Sequence, residues 1–404
     1  MALKKFNPSK ISKNNNPFPN SRAVAIVNGI YIKELLGSYE LVPETRTAIK
    51  IGLLHRLYNH YEKNKDDNGR YKPSHLLILA DYGQGKTLSL RYMQEEIFSK
   101  TYDVLISYSI GNNAMSILEE QNKFIKNVLK DLHNTLTKLA ENKYPDIKTD
   151  LDNIPDDENL STLLQLYDNI FNKINTQVYI IVDELDKILT ASDATVMQKS
   201  FLEEIKMIAD SCSKAISLWM AGTPNCEIII NSLGRDYIQR FLPPIKSTFN
   251  MNETIEYIDK KCTQILTYKG YIPYTNEVKK EIFKYSNGNI RNIDYICKEL
   301  WDACSEKNAR IDKKEWKKYI SEKLNEPIKE IFGIEITNNQ LNVITLLIVN
   351  DRVSLTTLNK GKTNRAKQEI LSLLENNDSF KRINRSYRLD NDVKNELKKK
   401  ILGG

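Results

Sequence analysis

The sequence predicts a parallel α/β domain, a small all-α domain and a C-terminal winged-helix domain. From Leu76 to about Phe249, apolar runs of strand length alternate with helical stretches, which is typical of a parallel sheet covered on both faces. From Asn252 to about Ile328 the strand-like runs stop and helical periodicity takes over. After Gly333, three helices precede two short extended pieces, which is the order of a winged helix.

Changes in composition and periodicity set the domain boundaries. We expect a partly disordered leader over residues 1–40, the α/β domain over 41–250, the helical domain over 251–330 and the winged helix over 331–404. The leader is rich in Lys, Asn and Ser and has no long apolar stretch, so it does not resemble a secretory signal. No apolar run reaches the roughly 18 residues that a membrane-spanning helix needs. We therefore expect no membrane span and a cytoplasmic location.

The first domain is predicted to contain five strands and several helices. The strands are His75–Ala80, Val104–Ser109, Val178–Val182, Ile216–Ala221 and a fifth near Ile245–Phe249. Helical periodicity covers about Thr45–Tyr61, and an amphipathic helix is expected within Ala114–Lys143. The polar segment Tyr144–Asn159 contains two prolines, so it is predicted to be a loop or an insertion.

In the C-terminal third, the segment Leu324–Gly333 is the predicted boundary between the helical domain and the winged helix. The predicted elements after it are a helix at Asn339–Val349, a short helix near Ser354–Asn359, a third helix at about Thr363–Glu375, and the extended pieces Phe380–Asn384 and Ser386–Leu389. The leucines expected in its core are Leu346, Leu347, Leu371 and Leu374.

The cysteines and histidines argue against two kinds of site, and the distribution of charge suggests a third. The five cysteines form no C-x-x-C pair, and the four histidines lie outside any Cys/His cluster, which argues against a disulfide framework and a zinc site. The formal net charge is +7, and the stretch from Asp351 to the C-terminus holds 13 basic and 7 acidic residues. This basic excess, which includes Lys398–Lys400, is either a solvated surface or a site for a polyanion.

The strongest motif begins at Ala80, directly after the first predicted strand. Its glycines let backbone N–H groups curl around phosphates, Lys86 would reach the β- and γ-phosphates, and the Thr87 hydroxyl would bind Mg²⁺. Ala80 replaces the first glycine of this P-loop consensus. The residues expected to bind the nucleotide are Asp81, Tyr82, Gly83, Gln84, Gly85, Lys86, Thr87 and Leu88. The alternative is a chance Gly-Lys-Thr sequence in a lysine-rich chain.

A second motif follows about a hundred residues later, where the apolar run Val178–Val182 ends in two carboxylates. The first, Asp183, is placed to bind Mg²⁺, and the second, Glu184, to orient or deprotonate an attacking water. This is the Walker B arrangement. Taken alone it could be a core strand followed by a capping acid, but together with the P-loop it supplies the other half of a hydrolysis site.

The two motifs together resemble those of the AAA+ ATPases, and in particular the origin-recognition and initiator ATPases that carry a C-terminal winged helix. Asp183 to Lys187 is similar to the extended Walker B of that clade, whereas Tyr82 to Gly85 also resembles ATPases of phage-defence and transposition systems. The resemblance implies an α/β P-loop AAA+ core with a helical lid domain. It further implies ATP and Mg²⁺ as cofactors, ATP hydrolysis, and assembly with identical or related AAA+ subunits.

The resemblance also assigns roles to three residues outside the Walker motifs. Thr223 ends the fourth strand where the family has sensor 1, although Thr223-Pro224 could simply be a turn. Arg240 is the first choice for an arginine finger that acts on a neighbouring subunit, and Arg235 is the second. Arg291, at a helix start, matches sensor 2 of the lid. For both the finger and sensor 2, the alternative is that the arginine is simply a surface residue at the end of a helix.

The predicted winged helix carries candidate contacts to double-stranded DNA. Four polar or basic side chains open its third helix and three arginines lie in its hairpin: Lys362, Thr363, Arg365, Lys367, Arg382, Arg385 and Arg388. Such side chains can contact base edges and phosphates. A protein-docking role for the same domain is the alternative.

Two functions follow from the resemblance and the basic tail. The first is an ATPase that binds double-stranded DNA and has an initiator-like role in DNA replication or mobile-element maintenance, with a helicase as one kind of partner. The second is an ATP-gated switch that recruits a transposase or a defence effector through protein contacts. The two differ in whether the C-terminal domain binds DNA directly.

Overall fold

The structure is a computed structural model, and it describes residues 52–64, 72–94, 104–110, 123–155, 158–190, 195–246, 248–265, 273–304, 310–333 and 337–402. The predicted leader lies outside these residues. The chain divides into an N-terminal unit that ends at Thr248 and a C-terminal unit that starts at Phe249. Within the described ranges, no helix is both long enough and apolar enough to span a membrane.

The N-terminal unit is built on a parallel sheet of five strands. They are β1 Leu76–Leu79, β2 Val104–Ile110, β3 Gln177–Asp183, β4 Ile216–Gly222 and β5 Leu242–Lys246. The spatial order is β2-β3-β4-β1-β5, and every neighbouring pair is parallel. The fifth strand was predicted near Ile245–Phe249, but it begins earlier, at Leu242. Its first part was not predicted because Pro243 and Pro244 are rare in strands. They are tolerated here because β5 is an edge strand.

The helices of this unit surround the sheet. They are α1 Gly52–Lys63, α2 Lys86–Tyr92, α3 Lys123–Asn142, α4 Lys148–Asp152, α5 Leu160–Lys173, α6 Leu185–Leu189, α7 Thr195–Ser211, α8 Pro224–Leu233 and α9 Arg235–Ile238. The first parts of the predicted helices Thr45–Tyr61 and Ala114–Lys143 lie outside the described residues. The prediction of a loop over Tyr144–Asn159 was wrong, because α4 and the 3-10 turn Pro145–Ile147 lie within it. They bury Ile147 and Leu151, and Pro145 is acceptable in the first turn of a helix.

Strands β1, β3 and β4 are buried on both faces, and neighbouring residues of one strand enter different apolar cores. In β3, Val178, Ile180 and Val182 belong to one core, whereas Tyr179 and Ile181 belong to the other. The first core includes residues of α3, α5 and α7, and the second includes residues of α1 and α2. Successive side chains of a strand point to opposite faces, so burial of both sets confirms the predicted sheet with helices on each side.

A buried carboxylate fixes the start of β4. The Asp168 Oδ1 atom in α5 accepts hydrogen bonds from the backbone N–H groups of Ala215 and Ile216, both at 2.8 Å. Its Oδ2 atom accepts from Ser213 and Lys214, also at 2.8 Å. Because Asp168 is only 2% exposed, these four donors replace the water that a carboxylate would otherwise need. The side chain thus ties α5 to the strand that precedes Thr223.

The C-terminal unit opens with four helices and has no strand among its described residues before Val353. The helices are α10 Met251–Ile265, α11 Asn276–Ser286, α12 Ile290–Cys304 and α13 Lys313–Phe332. This agrees with the predicted all-α region. The predicted boundary segment Leu324–Gly333 contains the last part of α13, which ends at Gly333 in the left-handed conformation, with φ of 64°.

Replacing Gly288 with alanine is expected to lower the free energy of unfolding by about 1–3 kcal/mol. Gly288 has φ of +70°, and an added Cβ would meet the backbone oxygen of Phe249 at 2.0 Å. Urea unfolding of the full chain measures the change. Gly361→Ala is the matched control, because Gly361 has φ of +71° but open space around its Cβ. A loss no larger for Gly288→Ala than for Gly361→Ala would contradict the predicted clash.

The rest of the unit follows the predicted order of helices and hairpin. It contains α14 Asn338–Val349, β6 Val353–Ser354, α15 Leu355–Leu358, α16 Asn364–Glu375, β7 Phe380–Ile383, β8 Ser386–Leu389 and α17 Asn391–Ile401. The three short strands form an antiparallel sheet in the order β6-β8-β7. Helix α17 was not predicted, because Lys398–Lys400 concealed its apolar face. That face buries Leu397 and Ile401 completely.

Two of the four leucines expected in the C-terminal core are buried. Leu347 is 0% and Leu374 is 2% exposed, whereas Leu346 is 38% exposed and Leu371 is half-buried. The prediction was wrong for Leu346, because it lies outside the face of α14 that buries Ile344, Leu347 and Ile348.

Candidate functional site

The loop between β1 and α2 has the backbone of a phosphate cradle. Gly83 and Gly85 have φ of 82° and 76°, in the left-handed region that favours glycine. Ala80, which replaces the consensus glycine, is 1% exposed, and its N–H donates to the Gly222 carbonyl of β4 at 3.1 Å. Its φ is not positive. Alanine therefore meets the backbone requirement at this position, and its methyl group joins the core.

Lys86 occupies the centre of the loop. Its Nζ atom donates to the carbonyls of Ala80, at 2.6 Å, and Asp81, at 3.2 Å. The residue is only 9% exposed, and this burial lowers the pKa of the ammonium group, an effect opposed by the nearby carboxylates of Asp186 and Asp183. The loop thus positions a buried positive charge close to the second motif.

Tyr82 links the two motifs directly. Its hydroxyl donates to the Asp186 carboxylate at 2.5 Å, and the Lys86 Nζ atom lies 5.4 Å from the centre of its ring. The hydrogen bond to Asp186 raises the pKa of Tyr82 to about 12. The tyrosine was predicted to bind nucleotide, but its bond to Asp186 was not foreseen, since nothing in the sequence pairs residues 104 positions apart.

The two carboxylates after β3 differ in environment. Asp183 is fully buried, and its Oδ1 atom accepts from the backbone N–H of Glu184 at 2.8 Å. Glu184 has the left-handed backbone conformation, with φ of 57° and ψ of 40°, which costs energy for a residue with a Cβ. Its Oε2 atom pairs with Lys187 Nζ at 2.7 Å. The arrangement therefore places one carboxylate in the interior and turns the next one out of the strand.

Thr223 lies at the carboxyl end of β4, which runs between β1 and β3. It is 9% exposed and is the N-cap residue of α8, and its Oγ1 atom lies 3.9 Å from the Cys226 sulfur. Burial raises the pKa of the Cys226 thiol to about 11, so the thiol stays protonated and acts as an apolar neighbour. The sequence carries no signal for Cys226 in this site, because it is a single cysteine outside any motif.

A family model described as an AAA domain matches residues 69–230, a range that contains the P-loop, both carboxylates and Thr223. Residues 69–230 are therefore similar to an AAA domain. A search of curated proteins found no significant match.

The solved structures to which this chain is similar include the following three proteins. Cdc6p from Pyrobaculum aerophilum is 13% identical with a TM-score of 0.42, over 87% of this chain and 93% of that one. The ORC2 protein of Aeropyrum pernix is 12% identical with a TM-score of 0.42 and the same coverage. DnaA from Aquifex aeolicus is 14% identical with a TM-score of 0.36, over 81% and 88%.

The candidate finger Arg240 lies just after α9 of the N-terminal unit and is 39% exposed. Its Nε atom forms an ion pair with Asp210 in α7, within the same chain. Arg235, the second choice, is exposed at the first position of α9. Arg291 is exposed at the second position of α12, in the C-terminal unit. Their proposed roles on a nucleotide stay predictions.

The seven predicted DNA contacts fall on two elements of the C-terminal unit. Lys362 and Thr363 precede α16, and Thr363 caps it by accepting from the Ala366 N–H. Arg365 is 91% exposed. The other predicted residues are Lys367, which is exposed on α16, and Arg382, Arg385 and Arg388 of the β7–β8 hairpin. The Arg382 guanidinium lies 5.9 Å from the ring centre of Tyr387. Arg365, Lys367, Arg382 and Arg385 are thus exposed, whereas Lys362 and Arg388 are half-buried.

Proposed function

We propose that the AAA domain binds ATP with Mg²⁺ and hydrolyses it, and that a C-terminal winged helix binds double-stranded DNA. One observation carries the first part: Lys86, Asp183 and Thr223 follow the carboxyl ends of the adjacent strands β1, β3 and β4. In open parallel sheets, ligands bind outside these strand ends. The three residues were predicted from separate stretches of sequence, and the sheet order brings them to one edge.

The loop residues fit a nucleotide triphosphate. Gly83 and Gly85 adopt the conformations that turn backbone N–H groups toward a phosphate, and Lys86 supplies a buried positive charge. The Oε1 atom of Gln84 is buried without a hydrogen-bond partner among the described residues, so a bound group or water could satisfy it. Lys86 now donates to carbonyls of its own loop, and phosphate oxygens would take their place.

The residues also fit Mg²⁺, which prefers oxygen ligands. Thr87 and Asp183 supply a hydroxyl and a buried carboxylate at the two motifs. The bound ion would neutralise charge on the transferred phosphoryl group. Glu184 accepts a proton from the attacking water, and to do so its carboxylate must leave Lys187. Thr223 would contact the bound nucleotide or the attacking water between the P-loop and the two carboxylates, in the sensor 1 role.

We further propose that Arg240 acts on the nucleotide of a neighbouring subunit, with Arg235 as the second choice, and that Arg291 contacts the γ-phosphate from the lid. Arg240 must exchange its ion pair with Asp210 for the neighbour's phosphate. Because this pair is partly exposed, the exchange costs little. The protein then functions as an oligomer of identical or related AAA+ subunits, with an initiator-like role in replication or mobile-element maintenance.

The C-terminal elements support the DNA proposal. A helix, a short strand, two further helices and an antiparallel hairpin are the components of a winged helix, and the helix start and hairpin are both basic. Truncation is a poor test, because α17 packs against α13: the Tyr319 hydroxyl donates to the Ile401 carbonyl at 3.0 Å. Removing the C-terminal residues would therefore damage the helical domain as well.

Replacing Arg365 and Lys367 together with alanine is expected to weaken binding to duplex DNA about tenfold and to lower the salt dependence by about one unit per lost phosphate contact. Fluorescence anisotropy of labelled duplex measures both, with and without ATP and Mg²⁺. Lys314→Ala is the matched control, since Lys314 is an exposed lysine of α13. If the intact chain hydrolyses ATP but ignores DNA at moderate salt, the winged-helix proposal is wrong and the domain serves protein contacts.

A further inference from the structure

A groove with a volume of about 600 Å³ lies between three helices of the C-terminal unit. Helix α14 contributes one entire face to it: Asn338, Leu341, Asn342, Thr345, Leu346 and Val349, with Asn350 just beyond. These positions recur at helical spacing over the whole helix, which is about 18 Å long for its 12 residues. Shorter faces of α11 and α13 form the other sides. The groove is therefore elongated along α14.

Aromatic rings line the interior of the groove. Tyr285 of α11 and Trp316 of α13 meet edge to face, with ring centres 5.4 Å apart. The Tyr285 hydroxyl donates to the Thr345 carbonyl at 3.4 Å, which joins α11 to α14. On the side of α14, the side chain of Leu346 is 38% exposed and lines the groove. A fixed aromatic floor beside an exposed aliphatic side chain is typical of a surface that receives apolar anchors.

The charged residues of the groove are mostly lysines. Lys284, Lys313 and Lys317 line it, against one carboxylate, Glu281. Lys284 pairs with Glu281 at 2.7 Å. Lys313 and Lys317 are exposed, and within the described part of the chain neither forms an ion pair. The groove thus combines an apolar interior with two unpaired positive charges at its margin.

We propose that this groove binds an acidic, amphipathic helix of a partner protein. The length of the α14 face matches a helix of about twelve residues, since each residue adds about 1.5 Å. Apolar side chains on one face of the partner helix fill the space beside Leu346 and Trp316, and carboxylates on the other face pair with Lys313 and Lys317. This is recognition of a helix in a groove, with charges that set orientation. The proposal does not depend on ATP or DNA binding.

The probe is a fluorescein-labelled synthetic helix of about fourteen residues, with leucine on one face and glutamate on the other. A second probe replaces glutamate with lysine. Anisotropy of the full-length protein is expected to show binding of the acidic probe, at least about tenfold weaker binding of the lysine probe, and weaker binding as salt rises. Leu346→Glu and the pair Lys313→Glu with Lys317→Glu should each weaken binding of the acidic probe about tenfold or more.

The matched control Lys314→Glu changes a neighbouring exposed lysine of α13 that does not line the groove, and it should leave affinity unchanged. Thermal unfolding checks each variant, and Leu346→Ala is the milder substitute should Leu346→Glu fail to fold. Equal affinity for both probes, or for the wild type and the groove variants, would overturn the proposal. Sedimentation tests for one further outcome. If the free protein is a dimer and Leu346→Glu dissociates it, the groove binds a second copy of this chain and the proposal is wrong.

Discussion

Glutamine in place of Glu184 is expected to lower ATP hydrolysis by about 10²- to 10⁴-fold while ATP binding stays close to that of the wild type. The amide has nearly the same shape as the carboxylate but cannot accept a proton from water. The fold should tolerate the change, because Glu184 is about one-third exposed and its ion pair with Lys187 lies at the surface. Phosphate release measures turnover, and fluorescence of a labelled ATP analogue measures binding.

Two further variants make this result specific. Glu141→Gln, at an exposed position of α3, should leave hydrolysis unchanged. Lys86→Ala should reduce binding and hydrolysis together, because it removes the charge that contacts the phosphates. If Glu184→Gln hydrolyses ATP at the wild-type rate, Glu184 is not the general base. If Lys86→Ala still binds ATP normally, the proposed nucleotide site itself is wrong.

Asparagine in place of Asp168 is expected to destabilise the N-terminal unit by about 3–4 kcal/mol. The carboxylate accepts four backbone N–H groups, two on each oxygen. In asparagine one oxygen becomes an NH₂ group, which would face two donors in a site that is 2% exposed. The two N–H groups would remain buried without acceptors. Urea unfolding of the full chain, followed by a probe in the N-terminal unit, measures the loss.

Hydrogen exchange separates this mechanism from a general loss of packing. The amides of Ser213, Lys214, Ala215 and Ile216 should exchange faster in Asp168→Asn than amides in the centre of β3. Asp152→Asn, at an exposed aspartate of α4, is the control and should change stability by less than about 0.5 kcal/mol. Uniformly faster exchange across the unit, with no excess at these four amides, would contradict the proposed role of the carboxylate.

The fold could be predicted largely because strands β1, β3 and β4 are buried on both faces. Strands such as β3 and β4 are continuous apolar runs, and a helix or a motif follows each one. Elements that depart from such patterns were misjudged. Strand β5 contains two prolines, which are tolerated because it lies at the edge of the sheet. Helix α4 lies in a polar segment in which only two side chains are buried, so its sequence has little helical periodicity. Helix α17 was concealed because its lysines outnumber the residues that it buries.

The candidate site could be predicted where residues are adjacent in sequence and not where they meet only in space. Lys86, Asp183 and Glu184 lie in recognisable strings. The bond from Tyr82 to Asp186 and the ion pair of Arg240 with Asp210 join residues that no local pattern connects. Both depend on how distant parts of the chain pack together in the fold.

The packing of α17 on α13 fixes the basic helix and hairpin in position on the long helix α13. Helix α13 has 20 residues, so it is about 30 Å long, and the chain continues from its end into the basic helix and hairpin. Because the last turn of α17 is fastened back to Tyr319, these elements cannot swing freely on α13. A rotation of about 10° at one end of a rod of that length would displace the other end by about 5 Å. A small change near the start of α13 would therefore reposition the basic surface as a whole.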